Sequence, residues 1–181
     1  MKAFILAAGI GSRLGDVTRE LPKCLVPVGG KPILEYQLDA LLANGITDVA
    51  MVLGHKKEKI LAFLESKEKY KSMTFTFAEN PEYVTTNSSY SYWQARHLIG
   101  AEPYLHLNCD IVLFPQLIQR LKESPFENAV LVDKNVKLDD SMEQVVVDGG
   151  RIIKMDKANL PNAHGRGSGM AKLSPAAVSF M

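Results

Sequence analysis

Residues 2–32 read KAFILAAGIGSRLGDVTRELPKCLVPVGGKP, and the reading of this stretch decides the fold. Its opening apolar run, Ala3 to Ala7, has no polar alternation, as expected of a short strand buried on both faces. A loop with Gly9 and Gly11 follows, then Arg13, and further on Lys23 behind Pro22. A buried strand, a pliant backbone and two cations in one short stretch point to a place where phosphates are held. The dinucleotide-binding fingerprint does not fit. Leu14 stands where its third glycine belongs, with Gly15 one place late, and Glu35 lies in an expected helix rather than at the end of a second strand. Walker A fails as well, because Gly30-Lys31 is followed by Pro32 where a magnesium-binding hydroxyl is required. What remains is a loop whose small residues Ala7, Ala8, Gly9 and Gly11 let backbone N–H groups approach a triphosphate. Arg13 can grip phosphate oxygens with two N–H groups, while Lys23 is a compact point charge. The plainer reading is two solvated surface cations.

Working outward, Pro32 is placed to open a helix whose stripe is Ile33, Leu34, Leu38, Leu41 and Leu42, ended by Asn44-Gly45. Asp48 to Leu53 reads as a second strand, Ile60, Phe63 and Leu64 as one face of a surface helix, and Met73 to Ala78 as a third strand. Further on come a helix through Trp93 and Leu98, a strand from Pro103 to Leu107, a short helix behind Pro115 and a strand from Ala129 to Val132. This alternation predicts an α/β fold: an open, mostly parallel sheet with helices on both faces. The pattern then changes. Gln144–Val147 and Arg151–Met155 flank Asp148-Gly149-Gly150, which predicts a small antiparallel hairpin. Residues 159–168 read as loop, and Gly169 to Leu173 as a last strand. The expected layout is one domain, residues 1–181, with a nucleotide-binding half (1–113) and an acceptor-side half (114–181).

The composition narrows the function classes. At 46% hydrophobic and a net charge of +1 over 181 residues, the chain resembles neither a nucleic-acid binder nor a membrane protein, and no such partner is expected. Any phosphate affinity must come from local placement. Cys24 and Cys109 are too few for a disulfide framework and fit a reducing cytoplasm. The four histidines, His55, His97, His106 and His164, show no metal-ligand spacing.

Two further positions bear on chemistry. Asp110 follows an apolar strand at its C-terminal end, where open parallel sheets bind ligands. It is placed to hold a hard cation shared with substrate phosphates, or else to form a turn before Phe114. Asn87 and Ser88, in the polar run Thr85–Ser91, can cap the following helix or contact a nucleotide. Cys109 reads as a small buried filler.

These residues carry a resemblance. LAAGIGSRL with the later Pro22-Lys23 resembles the signature of sugar-phosphate nucleotidylyltransferases, Rossmann-like enzymes that join an NTP to a phosphorylated sugar or alcohol. ENPEYVTTNSSYSYWQAR is similar to a segment of the phosphocholine cytidylyltransferase-like members, and LNCD sits where the family has its metal-binding aspartate. LDDSMEQVVVDGGRIIKMDK and GSGMAKLSP look like that group's acceptor-side hairpin and the strand after it. The match covers essentially the whole chain, strongly over 1–35 and 79–113 and more loosely beyond Asp133. The resemblance implies Mg2+-dependent nucleotidyl transfer from an NTP, with CTP preferred, to a small phosphorylated alcohol or sugar phosphate, with loss of pyrophosphate. It implies that Leu6, Ala7, Ala8, Gly9 and Gly11 form the nucleotide loop and that Arg13 contacts the β- and γ-phosphates. It further implies Lys23 at the α-phosphate, Asp110 as metal ligand, and Asn87 and Ser88 near the base.

Two other readings stay open here. Asn108-Cys109-Asp110 loosely mimics the Asp-x-Asp motif of a nucleotide-sugar-dependent glycosyltransferase, although the Arg13/Lys23 pair then goes unused. A non-catalytic nucleotide-binding module is the other. Family members usually continue past the strand resembling Gly169–Leu173 into helices with a second metal-binding aspartate, whereas this sequence stops at Met181. The acceptor-side half is therefore expected to be incomplete, with a missing C-terminal segment or an oligomeric partner covering apolar surface around Val178 and Phe180.

Overall fold

The computed structural model describes residues 1–180, with side chains described through residue 177. In chain order it contains β1 (Lys2–Ala7), α1 (Val17–Glu20), β2 (Pro27–Val28), β3 (Lys31–Pro32), α2 (Ile33–Ala43), β4 (Asp48–Leu53), α3 (Lys57–Glu65) and β5 (Thr74–Glu79). There follow α4 (Ser88–Ala95), β6 (Tyr104–Asn108), α5 (Pro115–Lys122), β7 (Ala129–Asp133), β8 (Gln144–Asp148), β9 (Arg151–Asp156) and β10 (Gly165–Leu173). The main sheet has eight strands in the order β5-β4-β1-β6-β10-β8-β9, with β7 also paired to β10.

The unbroken apolar run of β1 is explained by its central position. Ala3, Ile5 and Ala7 point to one face, where they meet Leu34, Leu38 and Leu41 of α2, Ile60 of α3 and Ile118 of α5. Phe4 points to the other face, against Tyr92 and Ala95 of α4, with Leu6 packed on the same cluster. A strand buried on both sides has no polar face to show. The sheet is parallel across β5, β4, β1 and β6. The chain steps outward from β1 through β4 to β5, then returns to place β6 on the other side of β1. That reversal moves the connecting helix α4 to the opposite face, as right-handed crossovers demand. It also leaves a crevice above the C-terminal ends of β1 and β6.

The strands from β7 onward extend the sheet antiparallel. β10 pairs with β6, β7 and β8, and β8 forms the expected hairpin with β9. Strand β10 begins at Gly165, inside the stretch read from sequence as loop. A Cβ at Gly165 would lie 2.5 Å from the Asp133 carbonyl oxygen, so this glycine marks close strand approach rather than a turn. The short hairpin β2–β3 around Gly29-Gly30 was not anticipated. Because Pro32 pairs with Pro27, its ψ is held extended at 144°, and α2 starts one residue later than expected, at Ile33. Residues 175–180 form a 3-10 helical segment; the apolar surface expected around Val178 and Phe180 lies outside the described side chains. Among the described residues, no helix is long and apolar enough to cross a membrane.

Candidate active site

A cleft of about 340 Å3 opens over the C-terminal ends of β1 and β6. One wall is the loop after β1, from Leu6 and Ala8 through Gly9, Gly11 and Ser12 to Arg13. Gly11 has φ +73°, and a Cβ there would meet Thr18 Cγ2 at 3.1 Å and the Lys23 stem at 3.4 Å, so only glycine fits. The turn is pinned from below. Thr18 Oγ1 donates to the carbonyls of Gly11 and Gly15 at 3.0 and 3.2 Å. The His55 backbone N–H donates to the Ala8 carbonyl at 3.0 Å. Ala7 is not part of this wall: strand alternation turns its side chain into the core on the opposite face.

Lys23 opens a single 3-10 turn, Lys23–Leu25, after an extended Pro22. Burial of Cys24 and Leu25 anchors the turn. From there Lys23 Nζ forms an ion pair with Asp110 Oδ2, just beyond β6. The Asn108–Ile111 segment is fixed by Gln37 of α2, whose buried amide donates to the carbonyls of Asn108 and Ile111 at 2.8 and 2.9 Å. Lys31 takes no part: it is turned to Asp39 at 2.5 Å.

The opposite wall is the segment between β5 and α4 with the first turn of α4, represented in the cleft by Tyr83, Thr86, Asn87, Ser88 and Ser91. Asn87 is the N-cap of α4, its Oδ1 accepting from the Tyr90 N–H at 3.1 Å, and it lines the cleft as well. The capping role is thus seen directly, and the same residue stands on the cleft. The cleft is completed by Lys157, one residue past β9, and by Asn108. Lys157 was not singled out from sequence, whereas Asn108 entered only through the loose Asp-x-Asp likeness of Asn108-Cys109-Asp110. The available signal for Lys157 was its place at the end of the hairpin strand. Asn108 is turned toward His106, whose Nε2 lies 3.2 Å from the Asn108 Oδ1, and does not act as a second acidic ligand beside Asp110. Burial pushes the His106 pKa down to about 4, the Asn108 contact opposing it.

Arg13, Lys23 and Lys157 thus line the cleft together with one carboxylate, Asp110, among the described lining residues. The cleft is locally cationic although the chain is nearly neutral, and a polyanion is the ligand such a field selects. No group of three His, Cys, Asp or Glu side chains is assembled to hold a metal among the described residues. A single carboxylate fits a hard cation such as Mg2+ that takes its other ligands from substrate phosphates and water.

A protein-family model described as nucleotidyl transferase matches residues 2–154. CMP-5'-(3-aminopropyl)phosphonate synthase of Streptomyces rubellomurinus is 34% identical over 137 residues, which cover 76% of this chain and 21% of that protein. Choline-phosphate cytidylyltransferase of Streptococcus pneumoniae is 40% identical over 114 residues, 60% of this chain and 47% of that protein. CTP:phosphoglutamine cytidylyltransferase of Campylobacter jejuni is 33% identical over 140 residues, with 75% and 53% covered. The matched region is thus between about a fifth and about half of the length of these relatives. Among solved structures, the inositol-1-phosphate CTP transferase from T. maritima superposes with a TM-score of 0.81 at 23% identity, covering 99% of this chain and 72% of that one. A glucose-1-phosphate thymidylyltransferase, described as putative, from Bacillus anthracis gives 0.83 at 20% identity, with 99% and 74% covered. At these identities the likeness shows the fold alone, the Rossmann-like α/β arrangement described above.

Proposed function

The chain belongs to the nucleotidyl transferase family, and from that premise we propose that it joins the nucleotidyl group of an NTP, CTP by preference, to a small phosphorylated alcohol or sugar phosphate and releases pyrophosphate. The observation that carries this reading is the convergence of Arg13, Lys23 and Lys157 on one cleft beside Asp110. In the proposed reaction a phosphate oxygen of the acceptor attacks the α-phosphorus of the NTP. That oxygen is already anionic, so no general base is needed, and positioning with charge neutralisation supplies the rate. Backbone N–H groups from Ala8 to Gly11 would receive the triphosphate, Arg13 its β- and γ-phosphates and Lys23 its α-phosphate. Lys157, on the hairpin side, would meet the acceptor's phosphate. Asp110 would hold Mg2+ together with those phosphates; when bound, the ion supplies further neutralisation of their oxygens.

The preference for CTP is supported by the names of the two cytidylyltransferases among the relatives. A small acceptor is supported by those same names, which refer to choline phosphate and phosphoglutamine. Two cysteines, both free thiols, fit the cytoplasm as compartment, and no nucleic-acid or membrane partner is proposed. The test is pyrophosphate release from CTP with Mg2+ and a panel of phosphorylated alcohols and sugars, on wild type and Lys23→Ala. Lys23 is only partly buried and its role is electrostatic, so the variant is expected to fold normally and to lose turnover. Near-normal activity in Lys23→Ala would remove this loop from the reaction centre.

A further inference from the structure

The wall of the cleft that faces Ala8 is held in place by a residue outside the cleft. Asn80, at the end of β5, is 0% exposed. Its amide nitrogen donates to Thr86 Oγ1 and to Ser91 Oγ, both at 2.9 Å, and its carbonyl oxygen accepts from the Glu82 N–H at 2.9 Å. Its backbone N–H donates to the Leu53 carbonyl at 2.9 Å, which ties it to β4. Both hydroxyls that Asn80 holds belong to cleft residues. They pass the constraint on, Thr86 Oγ1 donating to the Glu82 carbonyl at 2.7 Å and Ser91 Oγ to the Asn87 carbonyl at 3.4 Å. One buried amide therefore joins the sheet, the 80–87 loop and the first turn of α4. Gly54 seats the same loop against the phosphate loop: a Cβ there would lie 2.7 Å from the Ala8 carbonyl oxygen and 3.0 Å from Tyr83 Cβ.

We propose that Asn80 is the positioning residue for nucleoside recognition, setting the width of the slot between Ala8 and the Tyr83–Ser91 wall without touching the ligand. The inference rests on the nucleotidyl-transfer reading of the cleft. A fully satisfied buried network holds its members in one arrangement, and removing its centre leaves the wall an ensemble that must be ordered on binding. The reacting phosphorus would sit at Lys23 and Asp110, which other elements hold. Loss of Asn80 therefore weakens binding of the nucleoside and its discrimination, and leaves the chemical step in place.

Steady-state kinetics with CTP and UTP on wild type and Asn80→Ala test this. The expected result is a roughly tenfold rise in KM for CTP with kcat within about twofold, and a CTP/UTP ratio of kcat/KM that moves toward unity. A purely structural role would lower thermal stability and leave KM and that ratio unchanged; this result would overturn the inference while leaving the proposed function standing. A fall in kcat at constant KM would do the same. Absence of pyrophosphate release from wild type would remove the functional reading and the inference with it. If Asn80→Ala does not fold, Asn80→Ser keeps a polar group at the buried position but loses the amide that reaches both hydroxyls, with KM expected to rise by roughly threefold at constant kcat; an unchanged KM there overturns the inference.

Discussion

Lys23 and Asp110 are 87 positions apart and meet as an ion pair, each about a third exposed. Their residue types and local motifs were legible in the sequence; that each is the other's partner was not, because only the fold brings the ends of two loops together. The pairing has a consequence for Asp110→Asn. The amide cannot neutralise Lys23 and is a poor ligand for a hard cation. The variant is expected to need more Mg2+ for half-maximal turnover, and an unchanged Mg2+ titration would exclude Asp110 as the ligand. His106 carried no sequence signal, since its effect comes from burial beside Tyr92 rather than from a motif. Its pKa falls from 6.5 to about 4 on folding. Above pH 6.5 the ring is neutral whether the chain is folded or not. Between about 6.5 and 4 the unfolded chain binds a proton that the folded one refuses, so stability is lost as the pH falls through that window, by about 3 kcal/mol at most. Urea unfolding at pH 7 and pH 4.5 should show a smaller loss for His106→Gln than for wild type. Equal losses would mean that the ring is not shielded.

At the scale of elements, the parallel half was readable because each strand and helix states its own environment. Asp48–Leu53 was recovered residue for residue, and Pro115 opens α5 as expected. The strands that escaped did so through glycine, which marks a turn and a close approach with the same letter. Gly29-Gly30 makes a true turn between β2 and β3, whereas Gly165 lies within β10. Ala7 shows the same limit at finer grain: its membership in the loop motif was visible, but strand alternation sends its side chain to the core. Gly165→Ala should be destabilising by about 1–3 kcal/mol, because the added methyl would sit 2.5 Å from the Asp133 carbonyl oxygen and 2.8 Å from Val132 Cγ1. Chemical denaturation measures this directly, and wild-type stability in that variant would place the start of β10 later in the chain.

Across the whole molecule, one sheet runs through both halves of the sequence and presents its point of strand reversal to the cleft. Loops within residues 1–113 supply Arg13, Lys23 and Asp110, and the hairpin portion supplies Lys157. The cleft positions of Arg13, Lys23 and Asp110 were legible because they lie on short contiguous motifs. The hairpin side was not, because Lys157 is one of 21 basic residues and only the β8–β9 register brings it over the cleft. The central claim is that this cleft joins two phosphorus centres. Phosphorus-31 NMR of the full chain incubated with CTP, Mg2+ and phosphorylated acceptors tests it most directly. The account predicts a new diphosphate linkage between the CMP moiety and the acceptor, with one pyrophosphate released per linkage formed. CTP left intact across the whole acceptor panel, or cleaved to inorganic phosphate without a linked product, would contradict it.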